Sequence, residues 1–181
     1  MNATMTATSP TALETSWERF EALYRSSRDD VYAYVATLLR DAAAAEDVTA
    51  LAFERAYRRR RSFDRRRGEE RAWLFGIARN AALDELRRRR RHASLVVDPE
   101  DPLAAGAFLA EDAADGALRR AVVRSALDAL APRERELVAL KFHAGLTNAE
   151  IARVLGVSAS NAGTLLHRTI AKLRKACHDI A

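Results

Sequence analysis

The stretch from Leu146 to Arg174, LTNAEIARVLGVSASNAGTLLHRTIAKLR, constrains the chain most, because it reads as two helices joined by a three-residue turn. Thr147 and Glu150 have the spacing of a capping box, in which each side chain satisfies a backbone donor left open at a helix start. A helix is therefore predicted from about Asn148, with Ile151, Ala152, Val154 and Leu155 as its apolar side. Gly156 permits a tight turn that a side chain would resist, and Ser158 or Ser160 can cap the helix that follows. In that second helix Ala162, Leu165, Leu166, Ile170 and Leu173 recur at helical spacing, while Ser160, Gly163, Thr164, His167 and Arg168 fall together on another side. One side packs, and the other is free to enter a major groove. A helical hairpin whose polar face is merely solvated is the plain alternative. Cap, small residue, glycine turn and basic second helix agree together, and that agreement favours DNA.

The charge pattern divides the chain. Residues 1–92 hold 19 arginines against 14 acids, residues 93–118 hold six acids and no Lys or Arg, and residues 119–181 hold 11 basic residues against five acidic ones. Two basic blocks are thus separated by an acidic connector, which also contains Pro99, Pro102, Gly106 and Gly116. A flexible linker is predicted there, and with it two domains. Basic blocks are drawn to phosphate by counterion release, whereas the acidic tether is repelled by DNA or attracted to a cationic surface. Simple solubility explains an acidic tether as well.

Only seven glycines and abundant Ala, Leu and Arg favour helix, and no alternating strand pattern of useful length is visible. No apolar run approaches the roughly 20 residues of a membrane span, and the start MNATMTATSP lacks a basic, hydrophobic leader, so a cytoplasmic chain is expected. Cys177 is the single cysteine, which forbids an internal disulfide. With His178 it could share a metal, but a spectator thiol is the simpler account, and neither metal nor cofactor is expected.

In the first basic block Thr15 and Glu18 again have capping-box spacing, and Trp17, Phe20, Leu23, Tyr24, Val31, Tyr34, Val35, Leu38 and Leu39 recur at helical intervals, predicting a packed helical pair. Ala42 to Arg61 follows as a helix with Val48, Leu51, Ala52, Phe53 and Tyr57 on its apolar side, and Phe63 to Gly68 is an arginine-rich loop. A third long helix is predicted from about Glu69 to Arg91, burying Leu74, Ile77, Ala78, Ala81 and Leu86. It ends in five arginines, Arg87 to Arg91, more than a helix C-terminus needs, so phosphate contact is assigned to the excess. Tyr57, Phe63, Trp73 and Phe75 are interleaved with this basic material. Rings beside arginines can stack unpaired bases while the cations hold the backbone, although each ring alone also fits a core.

The run RAWLFGIARNAALDELRRRRR (Arg71 to Arg91), preceded by AAEDVTALAFERAYRRR (Ala44 to Arg60) and followed by the helix-turn-helix, resembles bacterial RNA polymerase sigma factors of the extracytoplasmic-function group, within the sigma-70 family. The resemblance spans nearly the whole chain apart from the N-terminal tail and the connector. It implies an all-α protein of two small helical domains joined by a flexible acidic linker. The boundaries are a disordered tail over 1–14, region 2 over 15–92, the linker over 93–118 and region 4 over 119–181.

The implied function is to bind core RNA polymerase and direct initiation from particular promoters, without catalysis or a small-molecule substrate. The helix matching Ala44 to Arg60 would dock on the beta-prime clamp coiled coil, which makes Glu46, Asp47, Phe53 and Arg55 docking candidates; Phe53 equally suits the core. The beta flap is the other polymerase contact that the resemblance implies. Phe63, Trp73, Asn80, Asp84, Arg87 and Arg88 are implied at the minus-ten element, where a flipped base of the non-template strand is held. Ser160, Asn161, Thr164, His167 and Arg168 are implied at the minus-thirty-five element. The acidic connector would thread towards the polymerase active site and RNA exit path, and an anti-sigma factor is an expected partner. The chain departs from the family at Ala50, where Gln is common, and at Gly163 and Leu165, where basic residues are common. A stand-alone dimeric helix-turn-helix regulator is the alternative. A nuclease or recombinase would need clustered carboxylates or an activated nucleophile, and the adjacent Asp84 and Glu85 point to different sides of a helix.

Overall fold

The computed structural model describes residues 11–95 and 114–180. Seven α-helices follow one another there: α1 (Thr11–Leu39), α2 (Ala42–Arg59), α3 (Glu70–Leu95), α4 (Ala114–Asp128), α5 (Pro132–Phe142), α6 (Asn148–Leu155) and α7 (Ala159–Ile180). No strand occurs among the described residues, as the composition and periodicity predict.

The predicted helical pair at the start is instead the single helix α1, 29 residues long. Neither Gly nor Pro interrupts it, so nothing in the backbone ends a turn before Leu39. It already begins at Thr11, ahead of the Thr15 capping signal. Leu23, Ser27, Val31, Tyr34, Val35 and Leu39 form its buried stripe. Arg40 then adopts a left-handed φ of 54°, its N–H still bonded to the Ala36 carbonyl at 2.9 Å, and turns the chain into α2. Asp41 caps α2: one carboxylate oxygen accepts the Ala44 N–H at 3.0 Å, and the other takes Arg89 of α3 at 2.8 Å. One residue thus starts a helix and pins it to its neighbour.

Two short 3-10 turns, Arg60–Ser62 and Arg65–Arg67, carry the arginine-rich loop from α2 to α3. Helix α3 runs to Leu95, about a turn past its predicted end, and α4 starts at Ala114, inside the stretch read as connector. The acidic segment between them, 96–113, lies outside the described residues, as does the tail over 1–10. Pro132 occupies the first position of α5, where its missing N–H costs nothing, and Glu134 accepts the Ala131 N–H at 2.9 Å.

The helix-turn-helix forms as its sequence predicts. Thr147 Oγ1 accepts the Glu150 N–H at 3.3 Å, and Glu150 Oε2 accepts the Thr147 N–H at 2.8 Å. Gly156 sits at φ 68°, the left-handed conformation that closes α6, and Ser158 Oγ accepts the Asn161 N–H at 3.2 Å to start α7.

The two halves do not stand apart. Helices α1, α2 and α3 pack on one another, α5, α6 and α7 form the second group, and α1 lies against α5 while α3 lies against α6. A continuous apolar core runs from Leu23 through Tyr34, Leu74 and Phe75 to Leu137, Leu140, Ile151 and Leu166.

Candidate nucleic-acid interface

Helix α7 separates its two faces cleanly. Ala162, Leu166 and Thr169 are buried, with Leu165, Ile170 and Leu173 partly covered, whereas Ser160, Asn161, Thr164, His167 and Arg168 are all exposed. None of these five side chains is tied to another side chain among the described residues. They form an unspent set of donors and acceptors on one helix, the arrangement that reads base edges and phosphates in a major groove. Gly163 has no steric duty: a Cβ there would meet only Asn148 Nδ2, at an ordinary 3.5 Å.

The second surface is built on α3 and the loop before it. Phe63 and Trp73 are both half-buried and lean on one another with ring centroids 5.4 Å apart. Asn80 and Asp84 are exposed, about two and three turns further along the face that carries Trp73. Tyr57 belongs to a neighbouring aromatic group: it meets Trp17 and Phe20 edge to face, and the Arg60 guanidinium lies 3.9 Å above its ring. Phe75, read with these rings from the sequence, is instead fully buried against Tyr34. A position two residues from Trp73 turns to the opposite side of a helix, which explains the difference.

The arginine run is not the free cationic strip that its sequence suggests. Arg87 donates to Asp84 Oδ1 at 3.2 Å, Arg88 makes two 2.8 Å bonds to Glu85, and Arg89 bridges Glu85 at 2.9 Å and Asp41 at 2.8 Å. The hydrogen bonds from Arg88 and Arg89 pull the Glu85 carboxyl down to about 2. Asp41 is lowered too, first by the Ala44 N–H and then by Arg89. Asp84 also accepts from Arg55 of α2 at 3.2 Å, which joins a residue read as polymerase-docking to one read as minus-ten. Much of the run therefore fixes α2 against α3 and holds arginine heads in place, a role invisible to residue counting.

On α2, Glu46 and Asp47 are exposed, as a docking surface requires. Phe53 is not: it is 5% exposed, wedged edge-on against Phe20 and Tyr24. The expectation that it docks on a partner is corrected to a core role, the other option its sequence position allowed.

Both surfaces sit on segments with known counterparts. Residues 23–92 match the family model for Sigma-70 region 2, and residues 120–173 match that for Sigma-70, region 4. The chain belongs to the sigma-70 family. Within it the resemblance is to the extracytoplasmic-function group. The factor is 34% identical over 166 residues to the ECF RNA polymerase sigma factor BldN of Streptomyces coelicolor, an alignment covering 91% of this chain and 62% of BldN. It is 28% identical over 169 residues to SigK of Mycobacterium bovis, covering 90% and 87% of the two chains. Its fold is that of the sigma factor RpoE in the complex with the anti-sigma factor NepR from Bartonella quintana, at TM-score 0.70 and 21% identity over 88% of this chain and 96% of that one. CnrH, solved with the cytosolic domain of CnrY, gives TM-score 0.65 at 22% identity over 94% and 96%.

Arg71 and the helices that begin the second half were missed by sequence reasoning. Arg71 bonds Asp30 at 2.6 Å, Ser27 Oγ at 3.1 Å and the Ala144 carbonyl at 2.6 Å, so one side chain ties α1 and α3 to the end of α5. No local spacing signals that role. Pro132 with Glu134, by contrast, is a readable helix start for α5. Among the described residues no group of three or more His, Cys, Asp or Glu is placed to hold a metal, and no helix is long and apolar enough to cross a membrane.

Proposed function

We propose that this sigma-70 family chain binds core RNA polymerase and directs initiation from a defined set of promoters. Its α7 reads the minus-thirty-five element in duplex form, through Arg168 and His167 with Ser160, Asn161 and Thr164 beside them. The loop and the α3 face carrying Phe63, Trp73 and Asn80 take the non-template strand of the minus-ten element, with rings stacking bases and Arg87 and Arg88 near phosphate. Asp84 is a positioning residue, since a carboxylate repels phosphate but holds Arg55 and Arg87 by its two oxygens. Glu46, Asp47 and Arg55 face the beta-prime coiled coil, and region 4, over 119–181, meets the beta flap. The work is done in the cytoplasm, where the polymerase is.

The observation that carries this reading is the coexistence, on segments matching regions 2 and 4, of a free duplex-reading helix and a pre-shaped surface of rings and arginines. A stand-alone helix-turn-helix regulator leaves the second surface without a use. An anti-sigma factor covering these surfaces is part of the proposal, because RpoE, which shares this fold, is found in a complex with the anti-sigma factor NepR.

Run-off transcription with purified bacterial core polymerase and a library of promoter fragments tests the reading. Initiation from a defined subset only when the factor is added is the expected result. No initiation and no binding to core, with retained binding to duplex DNA, would instead identify a regulator acting alone.

A further inference from the structure

The rings between α1 and α2 form a ladder that runs out of the core. Trp17, Phe20 and Tyr24 recur along one stripe of α1 and meet Phe53 and Tyr57 of α2 edge to face. Phe53 at the inner end is buried, whereas Trp17 at the outer end is 54% exposed. A lone exposed ring signifies little, but this one is braced against Tyr57 at a centroid distance of 5.9 Å and an interplanar angle of 85°. A cation is fixed on the same tyrosine. The Arg60 guanidinium lies 3.9 Å from the centre of the Tyr57 ring and donates to the Tyr57 carbonyl at 2.7 Å, so its plane is set while its other N–H groups stay available.

This corner adjoins the surface assigned to the minus-ten element. Arg60 opens the 3-10 turn Arg60–Ser62, and its carbonyl accepts the Phe63 N–H at 3.4 Å, which keeps the two backbones within about 7 Å of one another. Phe63 and Trp73 thus lie on one side of a single turn and Tyr57 with Trp17 on the other, a span that an unpaired strand crosses in a few nucleotides. The charge suits the same ligand. Arg58, Arg59 and Arg61 are exposed around the corner, and the acids Glu21 and Glu54 are paired with Arg25 and Arg58. An apolar protein partner would need a continuous apolar patch, and here arginines interrupt it. A nucleotide uses both components, a ring face for its base and a cation for its phosphate.

We propose that Trp17, with Tyr57 and Arg60 behind it, is a second stacking site for unpaired DNA, which takes a nucleotide of the non-template strand beside the minus-ten element. The inference rests on the minus-ten function proposed above and extends it to a base outside that element.

Promoter fragments carrying 2-aminopurine at single non-template positions within and on either side of the minus-ten element, bound to core polymerase with the full factor, test the site. Stacking on a ring quenches this base. Quenching is expected at one position outside the element, lost in Trp17→Leu and kept in Trp17→Phe, while the signal within the element persists in both. Trp17→Leu should shorten the lifetime of the open complex by about tenfold, the scale of one base stacked on one ring. An abasic site at the quenched position should do the same, with no further loss when the two changes are combined. Circular dichroism and a urea midpoint confirm that the variants are folded. Unchanged quenching and lifetime in Trp17→Leu would overturn the site, as would independent losses from the two changes. Weakened binding to core would overturn it too, by showing that Trp17 meets protein. If no open complex forms with core at all, the functional reading falls, and the free chain still decides the site. In a Trp73→Phe background Trp17 is the remaining indole of the two in the chain, and a single-stranded oligonucleotide either quenches its fluorescence, which supports the site, or does not, which removes it.

Discussion

The two surfaces proposed to meet DNA are made by opposite means. On α7 the reading side chains are free, and their placement comes from what lies behind them: Ala162, Leu166 and Thr169 in the core, Ser158 at the cap and Gly156 in the turn. On α3 the charged side chains are already engaged with Asp84, Glu85 and Asp41, and the rings already lean on one another. A duplex presents its edges in a fixed groove, so a rigid helix with uncommitted donors is enough to read it. An unpaired strand has no shape of its own, so the protein must supply one in advance, and ion pairs with half-buried rings do that.

The largest test of this contrast is Arg168→Ala. It removes a side chain whose only expected partner is DNA, so binding to a minus-thirty-five duplex should weaken by about 2 kcal/mol, with folding and core binding unchanged. Titration against matched and mismatched duplexes measures it; a loss of core binding would break the division of labour between the halves. Next is Asn80→Ala, which should slow promoter opening by about tenfold, roughly 1.4 kcal/mol, and leave duplex binding intact. Opening kinetics on closed and pre-melted templates separate the two, and equal slowing on both would remove Asn80 from base capture during melting.

Acid should distinguish the halves in a third way. Glu85 titrates at about 2 in the folded chain against an ordinary 4.5, so its contribution is fully present above the ordinary value and is lost as pH falls from there towards 2. Partial solvent screening keeps this effect below the two DNA effects. Urea midpoints of the parent and Glu85→Gln should therefore differ at neutral pH and converge as pH is lowered through that window. A gap that persists in acid would mean that Glu85 acts by packing and not by charge. The smallest effect is a gain: Gly163→Ala should stabilise by up to about 1 kcal/mol, since the added methyl meets only Asn148 at an ordinary distance. A lower denaturation midpoint would show that this stretch of α7 needs the glycine.

Much of this molecule is written in short-range spacing. Thr147 with Glu150, Gly156 and Ser158 specify the helix-turn-helix within a dozen residues, and the apolar periods of α2, α3 and α7 are correct to about a turn. Asn80, Glu46, Asp47 and the five residues of α7 are exposed where their proposed work requires it. Phe53 and Phe75 were ambiguous for a physical reason: an aromatic ring serves a core as well as a binding surface, and only its neighbours decide. Phe53 has Phe20 and Tyr24, and Phe75 has Tyr34, each from another helix.

The sequence by itself determined that the chain is helical, where α2, α3, α6 and α7 start, and which face of α7 stays polar, because caps, turns and periodicity act between residues a few positions apart. The tertiary structure alone decided how the arginines are spent and how the halves meet. Glu136 finds Tyr34 from 102 positions away, Arg71 finds Ala144 from 73, and Arg89 finds Asp41 from 48. Such pairs are formed by packing, which brings together groups that carry no record of one another in their local spacing.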